Sequence, residues 1–161
     1  MIREMLKCDK NQILAIYGKG LKTRNATFEI NVPSWEEWNS NHHKHSRYVY
    51  LNNNSIIGWV ALSHISKRYV YRGVSEISIY IDPDFSGRGI GSELIEKVIF
   101  SSEINGIWTL FASIFPENKA SLRLHEKFGF RKIGYREKIA SLDGIWRDTI
   151  ILERRSTIVG I

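Results

Sequence analysis

Residues 79–99 read IYIDPDFSGRGIGSELIEKVI. The run Val74–Ile81 alternates, which puts Ile77, Ile79 and Ile81 on one face of a strand. Asp82–Pro83 stops it, and a short loop follows in which Gly87, Gly89 and Gly91 alternate. From about Gly89 to Glu103, the residues Ile90, Leu94, Ile95, Val98 and Ile99 recur with helical period. An amphipathic helix therefore opens directly on the glycines. Successive backbone N–H groups at such a helix start form a concave anion site, reinforced by the helix dipole. Glycine leaves no Cβ in the way of a phosphate oxygen.

Three readings of the glycine loop compete. A Walker loop ends in Gly-Lys-Ser/Thr, whereas this one has Gly91–Ser92 without lysine. A dinucleotide fingerprint needs G-x-G-x-x-G and an acidic residue ending the next strand; here the glycines are two apart and the next strand reads IWTLFASIF. A plain glycine-rich turn is the third reading.

Outward from this segment the chain reads as strand, helix, helix, three strands, helix, strand, helix, two strands. Ile2–Leu6 opens as a short strand, and Asp9 is placed to cap a helix burying Ile13, Leu14, Ile16 and Tyr17, its end loosened by Gly18 and Gly20. Thr23–Ile30 is irregular. Ser34 with Glu37 three residues on is a capping-box start for a second helix carrying Trp35 and Trp38. Arg47–Leu51 and Ser55–Leu62 form a hairpin through the Asn52–Asn54 turn. Ile107–Phe115 is a buried strand, Asn118–Phe128 a helix ended by Gly129, and Phe130–Ile139 and Arg147–Glu153 close the chain around Leu142–Gly144. This predicts one α/β domain over 1–161: a mixed sheet with helices on its faces.

Composition bounds the function. The 161 residues suffice for a real core, and 12% aromatic content argues against disorder. The +6 net charge suits either ordinary basic composition or an anionic partner, and a phosphate-rich cofactor qualifies. No dense basic run points to nucleic acid. No apolar run reaches the ~20 residues that span a bilayer, so no membrane partner is expected. Cys8 is the only cysteine, which suits the cytoplasm and rules out thiolate metal clusters. The His42–His43–Lys44–His45 run reads as a solvated loop rather than a metal site.

The loop Ser86–Gly87–Arg88–Gly89–Ile90–Gly91 resembles the acetyl-coenzyme A loop, Gln/Arg-x-x-Gly-x-Gly/Ala, of the GNAT (Gcn5-related) N-acetyltransferase superfamily. Ser86 stands where the family has Gln or Arg, so its main chain rather than its side chain is the expected donor. Asn118 through Ala120, Leu124, His125 and Gly129–Phe130 are similar to the family's N-x-x-A…L-Y-x-x-x-G-F helix. Further segments resemble phosphinothricin-type acetyltransferases: Ala26–Glu29 with Trp35, Gly58–Trp59, Arg72–Ile81, and Leu142–Asp148. The likeness spans about Ala26 to Arg154.

The resemblance implies the GNAT fold, with a central, mostly antiparallel mixed sheet flanked by helices, and transfer of acetyl from acetyl-CoA to a small-molecule amine. The expected acceptor is an amino acid analogue such as phosphinothricin or methionine sulfoximine. A protein N-terminus, a polyamine, and a non-catalytic acetyl-CoA-binding module are the alternatives. Basic Lys67, Arg68 and Arg72 speak against a polycationic acceptor. No metal is expected. A homodimer through the aromatic late hairpin rests on family likeness alone.

Amide formation needs a neutral amine, so a base must take a proton. Glu76, opposite the isoleucine face of its strand, is the candidate, and the alternative is a solvent-facing carboxylate. His125 stands where many relatives have Tyr and is the candidate acid for the leaving thiolate, or else a packing histidine. A backbone N–H of Tyr80 or Ile81 is the candidate donor to the developing oxyanion. The main chain of Ile79 and Ile81 is expected to pair with pantetheine, Asn118 to bind its arm, and Ser86–Ser92 to hold the pyrophosphate. Arg72 is the candidate for an acceptor carboxylate, while Phe28, Glu29 and Trp59 shape the pocket.

Overall fold

The computed structural model describes residues 1–161. Its elements are β1 (Ile2–Glu4), α1 (Lys10–Lys22), α2 (Trp35–Asn41), β2 (Tyr48–Asn52), β3 (Ser55–His64), β4 (Val74–Ile81), α3 (Ile90–Ile104), β5 (Thr109–Ile114), α4 (Lys119–Lys127), β6 (Arg131–Leu142) and β7 (Ile145–Arg155). The seven strands form one mixed sheet in the order β1-β2-β3-β4-β5-β7-β6. Every neighbour pair is antiparallel except β4 with β5. The expected fold class and element order both hold.

Helices cover both faces, so β3 carries an almost continuous apolar run rather than an alternating one. Ile56, Trp59 and Ala61 join the cluster under α1 and α2 with Ile13, Ile16 and Trp38. Ile57, Val60 and Leu62 join the larger cluster under α3 and α4. The change of parity between Ile57 and Trp59 falls at the register shift opposite Tyr50 and Leu51: one extra residue flips the side chains that follow. On β4, Ile77, Ile79 and Ile81 pack on the α3 face, as the alternation required, while Tyr80 packs on the α1 face.

Two local expectations are corrected. Asp9 does not cap α1 with its side chain. Its carboxylate accepts from the Leu6 N–H at 2.7 Å and forms a two-pronged pair with Arg3, at 2.7 and 2.9 Å, because a charged partner on β1 outcompetes a neutral amide. Gly18 and Gly20 lie inside α1 rather than loosening its end. Any Cβ on Gly20 would sit 2.6 Å from the Tyr80 ring, so the glycine there lets the helix lie close against β4.

Candidate active site

The parallel pair β4–β5 is short. Val74, Ser75 and Glu76 pair with Thr109, Leu110 and Phe111, and no rung follows. β5 continues alongside β7 as far as Ile114–Ile150. The two central strands therefore diverge beyond Glu76, and a cavity of about 680 Å³ fills the wedge, lined by Ile77–Tyr80 on one side and Ala112–Phe115 on the other. Past Glu76, β4 has no partner on that edge, so its main chain is available to an extended ligand.

At the far end of β4 the chain is pinned before the glycine loop begins. Asp82 accepts from the Asp84 N–H at 3.2 Å, and its other oxygen receives Lys19 at 2.6 Å. Gly87 and Gly89 both take left-handed backbone angles, φ 76° and 80°, which L side chains adopt only with strain. The N–H groups of Gly87, Arg88, Gly89, Ile90 and Gly91 have no hydrogen-bond partner in the protein, while Ser92 and Glu93 already bond to the Gly89 carbonyl. Unpaired donors at the start of a 15-residue helix are what a pyrophosphate needs. Ile81 and Ser86–Ser92 lie beyond the lining of the wedge cavity itself.

Glu76 lines the cavity, and its carboxylate accepts no hydrogen bond from the protein. Burial raises its pKa and the positive charge of Arg136 opposes this. A carboxylate held in that condition is a stronger base than an exposed one. Tyr80 is buried against Tyr17, with ring centroids 4.9 Å apart, and stacks on Trp59 at 4.9 Å; burial drives its pKa upward. Phe28, Glu29 and Trp59 all line the cavity, and the Trp59 indole N–H donates to the Ile13 carbonyl at 3.2 Å.

His125 is 2% exposed and lines the cavity. Its Nδ1 lies 2.8 Å from the Ser121 carbonyl, which can only accept, so Nδ1 carries the proton. Burial lowers its pKa. The neutral ring thus presents Nε2 as an acceptor, which suits cofactor or water positioning better than proton donation to a thiolate. Asn118 also lines the cavity, and both ends of its amide are engaged: Oδ1 accepts from the Ser121 N–H at 3.2 Å and Nδ2 donates to the Asn25 carbonyl at 3.0 Å. A pantetheine contact by Asn118 would add to a capping role rather than replace it.

Arg72 is displaced from its expected place. It is exposed, stacks over Tyr69 at 4.2 Å and Trp108 at 5.3 Å, and does not line the cavity. Four extended residues before Glu76 span about 13 Å, and a short 3-10 turn at Tyr69–Tyr71 carries Arg72 onto the outer surface instead of bending it inward. Arg136, absent from the sequence reading, bears on the site instead. It pairs across the sheet with Thr149, a buried cavity residue, and cross-strand partners project from the same face.

The histidine run is not a solvated loop. His42 lines the cavity, stacks on Trp38 at 4.0 Å and directs Nδ1 to the Trp38 carbonyl at 2.7 Å, leaving Nε2 without a partner. His43 is buried and bonds Ser75 Oγ at 2.8 Å. Trp38 and His42, four residues apart at the C-terminal end of α2, were legible as an i, i+4 pair. The lining also includes Tyr17, Ser34, Glu37 and Asn41, and its charged residues are Glu29, Glu37 and Glu76, with no lysine or arginine.

Known proteins resemble the chain in sequence and in fold. A family model described as Acetyltransferase (GNAT) family matches residues 12–130. YwnH of Bacillus subtilis (strain 168), which carries a provisional phosphinothricin acetyltransferase name, is 35% identical over 152 residues, covering 91% of this chain and 93% of its own length. Phosphinothricin N-acetyltransferase of Alcaligenes faecalis is 31% identical over 160 residues, covering 95% of this chain and 81% of that enzyme. Among solved structures, a GNAT superfamily phosphinothricin acetyltransferase from Sinorhizobium meliloti in complex with AcCoA superposes with a TM-score of 0.90 at 26% identity, over 99% of this chain and 90% of that one.

Proposed function

The chain belongs to the GNAT acetyltransferase family, and from that premise we propose that it acetylates the amino group of a small amino acid analogue of the phosphinothricin and methionine sulfoximine kind, using acetyl-CoA. The observation that carries the reading is the wedge between β4 and β5, with an unpartnered carboxylate at its apex and five free N–H groups beyond its mouth.

Acetyl-CoA supplies an acetyl group activated as a thioester. The residues present fit it: free N–H groups from Gly87 to Gly91 suit the pyrophosphate, the unpaired edge of β4 at Ile79–Ile81 suits the pantetheine amides, and Asn118, Ser121 and His125 flank the arm. Glu76 takes a proton from the acceptor ammonium, directly or through a water, because only the neutral amine has a lone pair to attack with. The Tyr80 or Ile81 N–H is the donor proposed for the developing oxyanion. Phe28, Trp59 and Tyr80 give the acceptor an aromatic pocket, and Arg136 at its rim is the cation proposed for an acidic group. The exposed apolar side of the late hairpin, including Ile133, Tyr135 and Trp146, supports a homodimer there. The cytoplasm, where acetyl-CoA is abundant and Cys8 stays reduced, is the proposed location.

One observation favours a second reading. The charged residues of the cavity lining are all acidic, which suits a polyamine better than the surface basic residues Lys67, Arg68 and Arg72 suggest. Acetyl-CoA turnover, read by thiol release, against phosphinothricin, methionine sulfoximine, a polyamine and a peptide N-terminus decides between them. Turnover with the amino acid analogues supports the proposal. Turnover confined to the polyamine or the peptide overturns it, and no turnover with any amine leaves a coenzyme-binding module.

A further inference from the structure

Residues 25–33 join α1 to α2 and form the outer wall of the cavity through positions 26–29 and 31–33. No main-chain to main-chain hydrogen bond involves any residue from Asn25 to Pro33. Inside the segment the only tie is the Glu29 N–H to Thr27 Oγ1 at 3.2 Å. A wall built this way has no rigidity of its own.

Its fixed points come from the other end of the chain. Arg147 Nη1 donates to the Arg24 carbonyl, and Nη2 donates to Glu117 at 3.0 Å. The same guanidinium lies 3.8 Å from the centroid of the Phe115 ring. Phe115 in turn meets Phe28 edge-on at 4.9 Å, and both rings line the cavity. Two further ties run in parallel: Arg24 to Asp143 at 2.8 Å, and Asn118 Nδ2 to the Asn25 carbonyl at 3.0 Å.

We propose that Arg147 is a positioning residue for acceptor recognition: it clamps the 25–33 wall, with Phe28 in it, against Phe115, so that the acceptor's pocket has its shape before the acceptor arrives. Arg147 reaches the acceptor only through the wall. Guanidinium is suited to the task because its plane stacks on an aromatic ring while its edges donate in two directions; an ammonium offers neither together. A preformed pocket spares the acceptor the entropy of ordering the segment. Arg147 itself bonds only to Arg24 and Glu117 and stacks on Phe115, none of them in the Gly87–Gly91 loop, so its effect falls mainly on the acceptor.

The kinetic test rests on the amine-acetylating reading above. Arg147→Ala is expected to raise KM for phosphinothricin about tenfold, 1.4 kcal/mol of binding, with KM for acetyl-CoA unchanged within about twofold. Arg147→Lys recovers only part of the loss. In a double-mutant cycle with Phe28→Ala the two effects are not additive. Hydrogen–deuterium exchange of the unliganded protein supplies a readout independent of acceptor identity: residues 25–33 exchange faster in R147A than in wild type. Arg147→Lys, which keeps the charge but not the stacked plane, serves in its place should R147A not fold, with faster exchange of residues 25–33 than in wild type as the expected result. Unchanged exchange overturns the clamp, as does a parallel rise of both KM values with a lowered melting temperature. Wild type that fails to turn over phosphinothricin while R147A still loosens the wall refutes the acceptor reading alone.

Discussion

Glu76 pairs with Phe111 on the last rung that β4 and β5 share. The carboxylate therefore stands where the two strands part, at the closed end of the wedge. Its position follows from the register of a three-rung parallel ladder, so Glu76 is fixed by the same backbone that opens the cavity.

Glu76→Gln keeps the shape and removes the basicity. Turnover at neutral pH is expected to fall on the order of 10²-fold, with partial recovery at high pH where free amine is plentiful. Burial raises the Glu76 pKa, so the acid limb of kcat/KM in the wild type lies above the ordinary carboxylate range. Activity is lost as pH falls through that raised value, and the limb is missing in the variant. An equal neutral-pH rate in a folded E76Q protein rejects the role of base.

Gly89→Ala tests the anion loop. At φ 80° a side chain is strained, and a Cβ there meets no protein atom within 4 Å. It would project into the space above the free N–H groups instead of into the core. The fold is expected to survive while coenzyme A affinity drops about tenfold or more. Calorimetry with coenzyme A measures this, and an unaltered Kd disproves the pyrophosphate assignment.

Arg136 and Arg72 make opposite predictions. Arg136→Ala should cut the preference for an acidic acceptor over its amide by roughly tenfold, in keeping with a charge-assisted pair of about 1.5–3 kcal/mol reduced by exposure. Arg72→Ala should leave that ratio of kcat/KM values unaltered, because Arg72 stacks on Tyr69 and Trp108 outside the cavity. The reverse pattern would return the rim to Arg72.

His43 gives the fold a pH dependence. Burial, then the positive neighbours His64, His45, Arg47 and His42, push it down to about 4, while an unfolded histidine titrates near ~6.5. Between those values the unfolded chain binds the extra proton. Stability is therefore full above about pH 6.5 and falls as the pH drops toward 4, by about 3 kcal/mol from this residue. Urea unfolding at neutral and at mildly acidic pH should show the drop in wild type and a smaller one in His43→Asn. Equal drops in both proteins exclude His43 as the cause.

Much of this was legible in the chain itself. Val74–Ile81 has the bounds its alternating isoleucines imply, Ser34 caps α2 through the Glu37 N–H, and Asn118 caps α4. These are local signals, complete within a few residues. Arg136 was not legible, because its approach to the site depends on a β6–β7 register that shifts twice. His42 and His43 looked polar and solvated: the i, i+4 spacing of His42 from Trp38 was a usable signal that was not taken, whereas nothing near His43 in sequence points to Ser75, 32 positions on. Arg72 was misplaced because the direction of the turn before Val74 has no local signal: the 3-10 turn at Tyr69–Tyr71 carries it outward onto Tyr69 and Trp108.

The clamp on the outer wall joins Arg147 to Arg24 across 123 positions of sequence. Contacts of such separation form late, after loop closure has been paid for by nearer ones. During synthesis the coenzyme loop and Glu76 are both made well before the hairpin that fastens the wall. The proposed clamp therefore cannot close until nearly the whole chain has been made.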